Sequence, residues 1–516
     1  PFPFSKKTPL LALLINHKAL RSMIASRSLT AALLVLAGFS VGCRSIQEQS
    51  SEIARMAAPS RYDIAIENVR DRAKPALVRI KVVEREFSGG REEKYVTFGS
   101  GTIIDSGGYV MTNHHVAGKA VQLFCTMPNR EEVSAVLIGT DPATDIAIIQ
   151  LQPTKQTVFP FAQFGNSDSV AVGDQVFALG SPASLSQSVT LGIVSNIEMI
   201  TPALQRESGW DLDGENVGEL VRWIGHDAAI YPGNSGGPLV DREGRIIGVN
   251  EIGIGLGGAI PGNLARRVAE AIIRDGFVTR GYVGLRLQPL LQADANGEGV
   301  LVSSVNKNSP AEKAGLVAGD VLLAINARSI SGRFQEDLPA INQLIADLPV
   351  GSAANFNIRR VSGEVVTLPV QTEKRQPALI PQSEVREWGM SVRDVSIWTQ
   401  LDLVRKDSTG VVVTGTRPGG PAAQARPEIK DGDIIVRMGE STIRNREDFI
   451  GATRTLVNGK PALTPVIVQF ERGGENLLSV ANVGIDPLQP PGTEVQRAWV
   501  PIETQVLTTE LAAELK

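Results

Sequence analysis

The chain has 516 residues, with 51 lysines and arginines against 55 aspartates and glutamates and a net charge of −4; it is too long for one hydrophobic core and has no basic face to neutralise a phosphate backbone. Apolar residues make up 42% and charged residues 21%, the balance expected of about three or four soluble domains. Two cysteines, Cys43 and Cys125, and four histidines supply neither a disulfide framework nor a zinc constellation of recognised spacing, so no metal, cofactor or nucleic-acid partner is expected.

The first residue is Pro1, and Met23 opens a segment laid out like an export signal. Arg27 supplies positive charge, Leu29 to Phe39 an apolar run, and Ser40 to Cys43 a small-residue ending. Such a run is too short to cross a bilayer comfortably. The ending resembles a bacterial lipobox in having Gly42 before Cys43, with Ser40 where that pattern prefers Leu, Val or Ile. Two outcomes stand: a lipid anchor at Cys43, or a cleaved signal on a soluble periplasmic protein. Residues 1–22 then fall outside the mature protein, 23–43 form the signal and 44–60 a linker.

From about Ala76 to Asn250, short apolar or alternating runs are broken by glycine: ALVRIKVV, GSGTIID, YVMTNHHV, VQLFC, DIAIIQL, QVFALG, SVTLGIVS and GRIIGVN. Regular β-branched segments of this kind predict barrels or sandwiches. MTNHHVAG sets His114 beside His115; at a strand ending, neighbours point to opposite faces, so only one of them can look into a cleft. DLDGEN, at 211–216, has the opening of a calcium loop without its later ligands and reads as a polar surface loop. The most specific stretch is AAIYPGNSGGPLV, 228–240. Glycines around Ser235 allow a sharp backbone path that aims N–H groups at one point and leaves room for substrate. The N–H groups of Gly233 and Ser235 are the candidate oxyanion donors. A serine hydroxyl needs a base to take its proton, and the base needs a carboxylate.

NLARRVAEAIIRDG follows, with Asn263 placed to cap a helix, apolar residues at helical spacing and Gly276 at the stop. The remainder contains a repeat. YVGL at 282–285 answers to EWGM at 387–390, SPAEKAGLVAGDVLLAIN to GPAAQARPEIKDGDIIVRMG, and Ile330 to Ile443. The spacing of about 105 to 113 residues is a domain length, so this is a tandem duplication. The predicted domains are 61–278, 280–373 and 385–486, with 374–384 as a linker. The tail, 487–516, is either a terminal amphipathic helix or the start of a third repeat.

The motifs GSGTIID, TNHHV, DPATDIAIIQL, FGNSDSVAVGDQVFALGSP, YPGNSGGPLV and GAIPGN closely resemble those of the HtrA/Deg serine proteases. The match runs from about Pro75 to Gly484, roughly four fifths of the chain. The resemblance implies a mainly β protein, a chymotrypsin-like double β-barrel protease domain followed by two PDZ domains. It makes His115 the base, Asp145 its carboxylate, with Asp141 a competitor on the approach loop, and Ser235 the nucleophile. This order differs from that of subtilisin and the α/β-hydrolases. His114 stands where the family has asparagine.

By the same resemblance Ala229, six residues before Ser235, lines the base of the specificity pocket, with walls from Ile230 and from Leu256 to Pro261, including Gly258 and Ile260. An uncharged base disfavours Lys or Arg and implies small to medium aliphatic residues before the scissile bond. Gly258 replaces a usual Phe and Tyr231 a usual Asn. The carboxylate-binding loops of the PDZ domains match Tyr282, Val283, Gly284 and Leu285 in the first copy and Glu387, Trp388, Gly389 and Met390 in the second. The implied function is an ATP-independent endopeptidase of the bacterial envelope, a trimer or multiple of it, acting on unfolded or mislocalised proteins and binding C-terminal peptides. The alternative is a PDZ-based chaperone or scaffold with an idle protease domain.

Overall fold

The computed structural model describes residues 61–484 apart from 182–186, 201–210, 213–214, 254, 291–297, 377–379, 397–398, 401–402, 404 and 461. The expected signal with Cys43, the linker 44–60 and the tail 487–516 lie outside the described residues.

Six strands, β1 (Leu77–Ser88), β2 (Arg91–Ile103), β3 (Tyr109–Thr112), β4 (Ala120–Thr126), β5 (Glu132–Asp141) and β6 (Ile146–Gln152), close into a barrel in the order β1-β2-β3-β6-β5-β4. Val78, Ile80 and Val82 alternate into its core, as the period of two requires. β1 and β2 meet at Gly89 and Gly90, with φ of 53° and 74°; a two-residue turn of this hand matches the twist of a hairpin.

The second barrel is built from β7 (Gln175–Gly180), β8 (Ser188–Met199), β11 (Trp223–His226), β12 (Pro238–Val240), β13 (Ile246–Gly253) and β14 (Gly257–Pro261), in the order β11-β14-β13-β12-β7-β8. Between β8 and β11 the stretch expected as a polar loop supplies a two-stranded ribbon, β9 (Asp211–Leu212) with β10 (Glu215–Asn216).

A helix, Gly262–Asp275, follows β14 and sets Leu264, Ala265, Val268, Ala269 and Ile272 into the core shared with the first barrel. It stops at Gly276, whose φ of 81° and N–H to the Ile272 carbonyl (2.8 Å) form the left-handed cap that glycine favours. Its start departs from expectation. Asn263 lies inside the first turn, and its N–H donates to the Ser167 hydroxyl (3.0 Å), so a distant side chain caps the helix.

The two repeats form two sheets. In the first, β15 (Gly281–Tyr282) pairs with β22 (Glu373–Lys374), and β16 (Leu285–Gln288), β17 (Val300–Val305), β18 (Val321–Ile325), β20 (Ala353–Arg359) and β21 (Val365–Gln371) lie in that order, with β19 (Arg328–Ser329) on β18. In the second, β23 (Gln382–Val385), β24 (Met390–Asp394), β25 (Val411–Thr416), β26 (Ile434–Met438), β28 (Thr464–Arg472) and β29 (Glu475–Val483) lie in that order, with β27 (Ser441–Thr442) on β26. The equivalent strands β16 and β24 differ in one respect. Among the described residues β16 is an open edge, whereas β24 is covered by β23, which pairs from Gln382 opposite Arg393 to Val385 opposite Met390. The stretch 374–384 therefore differs from the expected linker: it contributes strand at both of its ends.

Candidate active site

β3 and β6 run antiparallel with Thr112 opposite Ala147, so the residues after one strand meet the residue before the other. Four hydrogen bonds join them. Asn113 Nδ2 (2.9 Å) and the His114 N–H (3.1 Å) donate to the Asp145 carbonyl, the His115 N–H to Oδ1 (2.8 Å) and His115 Nδ1 to Oδ2 (2.7 Å). Asp145 is wholly buried with a left-handed φ of 53°, a conformation costing roughly 1–2 kcal/mol for most L residues and tolerated best by Asp and Asn. The competing carboxylate, Asp141, is engaged elsewhere, in a buried ion pair with Arg280 and a hydrogen bond from Thr144.

The two neighbouring histidines do not sit on a strand. Both belong to a single helical turn, His114–Ala117, where successive side chains diverge by about 100°. That angle is enough to separate them. His114 is buried, with Nδ1 2.6 Å from Thr140 Oγ1, and Gly118 makes room for its ring, since a Cβ there would lie 2.3 Å from it. His115 keeps a third of its side chain exposed. Burial of the ring opposes its charged form, but the charge and hydrogen bond of Asp145, with Glu84 adding, outweigh that and raise its pKa. His226 is fully buried, and desolvation pushes its pKa down to about 4, so it is neutral.

Tyr231 to Asn234 form a turn closed by the Asn234 N–H on the Tyr231 carbonyl (2.9 Å). Pro232 stands second and Gly233 third, with φ of 103° at Gly233. That is a type II turn, in which the middle peptide is flipped relative to type I. Among the described residues, neither the Gly233 N–H nor the Ser235 N–H has an acceptor. Ser235 Oγ also makes no hydrogen bond there, so its link to His115 is open.

The Ser235 loop is docked instead through Ser100 of β2, a residue that sequence reasoning missed. Its hydroxyl donates to the Gly233 carbonyl (2.6 Å) and accepts from the Ser181 N–H (2.9 Å). Its N–H donates to the Ser235 carbonyl (2.9 Å), and its own carbonyl accepts from Thr112 Oγ1 (2.7 Å). Gly236 lies so close that a Cβ there would be 2.2 Å from both Ser100 O and Thr112 Oγ1. One buried serine thus ties the turn to the strand that leads into His115. The signal available in the sequence was a polar residue between two glycines inside an apolar strand, GSGTII.

Of the expected pocket residues, Ala229 is exposed and its carbonyl accepts from Thr190 Oγ1 (2.9 Å), and Ile230 is half-buried. Leu256 is exposed, and Gly258 pairs with Gly225 across β14 and β11. Ile260 is placed differently from the expected pocket wall: it is wholly buried in the core that the helix Gly262–Asp275 completes. Alternation along β14 sends Ala259 into the second barrel's own cluster and Ile260 to the opposite face.

Comparison with known proteins agrees with this geometry. A trypsin-like peptidase domain model matches residues 99–249, and PDZ domain models match 301–360 and 378–452. The chain is 34% identical over 401 residues to the probable periplasmic serine endoprotease DegP-like of Chlamydia trachomatis, covering 75% of this chain and 72% of that protein. It is 32% identical over 397 residues to the periplasmic serine endoprotease DegP of Escherichia coli K12, covering 74% and 76%. The chain belongs to the HtrA/DegP family of serine endoproteases. Among solved structures, the HtrA-type protease AlgW with tripeptide matches with a TM-score of 0.52 at 30% identity, over 62% of this chain and 98% of that one.

Within this HtrA/DegP architecture the two PDZ domains are not equivalent. In the first, the N–H groups of Val283 and Gly284 have no acceptor among the described residues, and a cavity of about 240 Å³ opens beside Tyr282 to Arg286. In the second, the Trp388 N–H donates to Val385 (3.0 Å) and the Gly389 N–H to Arg386 (3.0 Å). Trp388 is buried against Phe449, with its indole N–H on Thr453 Oγ1 (2.9 Å). The loop Glu387–Met390, expected to grip a carboxylate, has spent these donors in the turn from β23 to β24.

Replacing Ser100 by alanine removes the bridge between Ser181 and Gly233 without touching His115 or Asp145. Ser100→Ala is expected to lower kcat by about tenfold with KM little changed, and to lower the thermal midpoint by a few degrees because two buried main-chain groups lose their partner. Steady-state kinetics on a peptide substrate and a melting curve check this.

Proposed function

We propose that this endopeptidase works through His115, Asp145 and Ser235, cleaving unfolded or mislocalised proteins of the bacterial envelope without ATP. His115 Nε2 takes the proton of Ser235 as the hydroxyl attacks the peptide carbonyl, and Asp145 stabilises the imidazolium. The N–H groups of Gly233 and Ser235 receive the oxyanion. His115 returns the proton to the leaving amine, and water resolves the acyl-enzyme. The observation that carries this reading is the Asp145 clamp on His115, with the Ser235 loop docked beside it through Ser100. The type II turn at Gly233 and the two unpaired N–H groups support a preformed oxyanion hole.

The open edge of β16 and the free donors of Val283 and Gly284 support the first PDZ domain as the receptor for C-terminal peptides. The covered edge of β24 supports an architectural role for the second. The uncharged Ala229 supports small to medium aliphatic residues before the scissile bond. On the family resemblance, the particle is a trimer or a multiple of it on the periplasmic side, either soluble or anchored at Cys43. Among the described residues no helix is long and apolar enough to cross a membrane.

Wild-type protein is expected to digest unfolded casein without nucleotide, and Ser235→Ala to leave it intact; equal loss of casein with both proteins would remove Ser235 from the mechanism. The raised pKa of His115 sets the pH dependence. Only neutral imidazole accepts a proton, so the competent fraction is lost on acidification at a higher pH than for an ordinary histidine. The acid limb of kcat/KM is therefore expected to have its midpoint above 6.5. Titration with a hydrophobic C-terminal peptide by calorimetry is expected to give one site per chain, and two equal sites would contradict the closed second PDZ domain.

A further inference from the structure

Glu251 sits on β13 where pairing with β14 slips. Asn250 faces Ala259 and Ile252 faces Gly258, leaving Glu251 unmatched between them. A bulge of this kind re-aims a side chain, and here the carboxyl is turned into the interior, 6% exposed. One oxygen, Oε2, accepts the indole N–H of Trp223, itself wholly buried. The other, Oε1, is sealed from water and meets no donor among the described residues. What the carboxyl does meet is the side chain of Asp145, another acceptor.

Two ionised carboxylates in a buried contact repel each other, and Glu251 Oε1 would also be left unpaired. A proton between them removes both penalties. Asp145 already accepts two hydrogen bonds from His115, from its N–H and from its imidazole. Glu251 receives only a neutral indole, so the proton belongs on Glu251. Burial, and then the Asp145 charge, push the Glu251 carboxyl well above the usual carboxylate range.

We propose that Glu251 is a positioning residue of the protease, a buried neutral carboxylic acid that accepts from Trp223 and donates its own proton to Asp145. The inference rests on Asp145 and His115 being the catalytic pair. The charged groups facing Glu251 are Asp145 and, beyond it, His115, on which Glu84 also acts; Trp223 brings no charge. The same strand reaches the nucleophile loop through Asn250, whose carbonyl accepts the Gly236 N–H (2.9 Å) and whose N–H donates to Gly237 (2.9 Å). β13 therefore holds the carboxylate end of the site with one residue and the serine end with its neighbour.

A donor on Asp145 fixes its plane and disperses part of its charge. Without that donor, the charge acts more fully on His115 and raises its pKa further. In the full-length protein, Glu251→Ala is expected to lower kcat about 10- to 100-fold at constant KM and to move the acid limb of kcat/KM upward by about half a pH unit or more. Glu251→Gln can donate from its amide to Asp145 and accept from Trp223, so it is expected to stay within about threefold of wild type with an unmoved limb. Difference infrared spectra at neutral pH are expected to show a protonated-carboxyl C=O band in wild type that Glu251→Gln lacks; this readout stands even if the alanine variant fails to fold. Equal kinetics in Ala and Gln, or no such band in wild type, would overturn the proposal. Persistent cleavage by Ser235→Ala would instead overturn the triad reading, so the two failures are distinguishable.

Discussion

A carboxylate sealed from water must have its oxygens matched, and Asp145 meets that demand by drawing the end of β3 onto the start of β6. Its backbone carbonyl takes two donors and its side chain takes two more, all from Asn113 to His115. The left-handed φ of Asp145 is held by these contacts. His115 owes its tautomer, its orientation and its raised pKa to the same carboxylate. The first barrel is in this sense the frame for one acidic side chain.

The second barrel brings the Ser235 loop to that frame through its own backbone groups, met by the backbone and the hydroxyl of Ser100. Ser100 meets Gly233, Ser235 and Ser181 across the junction, and its carbonyl takes Thr112 Oγ1 within the first barrel. Asn250 holds the far side of the loop. Bonds to buried main chain are hard to replace without leaving a group unpaired, so the loop has little freedom once the barrels meet. The PDZ domains follow the same accounting with opposite results. In the first, two N–H groups meet no acceptor among the described residues, beside an edge that is open among them, whereas in the second the preceding strand has taken the edge and the turn has taken the donors.

Much of this was legible in the residues. Alternating β-branched runs gave the strands, the 3.6-residue spacing and Gly276 gave the helix that closes the protease domain, and the repeated segments gave the two sheets after it. YPGNSGG contained its own turn chemistry, since Pro232 and Gly233 suit the second and third places of a type II turn. Other readings shifted once the chain was folded. Asn263 lost its role as a cap to Ser167, nearly a hundred residues away in sequence, and His114 and His115 were separated by a helical turn rather than by a strand's two faces. Ile260 went into the core, and part of the expected linker paired as β23.

The sequence by itself determined what depends on near neighbours: strand periodicity, turn type, the tandem repeat, and the residue types able to act as nucleophile, base and carboxylate. Tertiary structure alone decided which polar groups ended up without water. That decision made Ser100 a bridge, gave Glu251 a buried place against Asp145, paired Asp141 with Arg280 and closed the edge of β24. The physical reason is that a hydrogen bond between residues far apart in the chain has no periodicity to read. Its necessity appears only when folding removes the solvent that would otherwise have satisfied both partners.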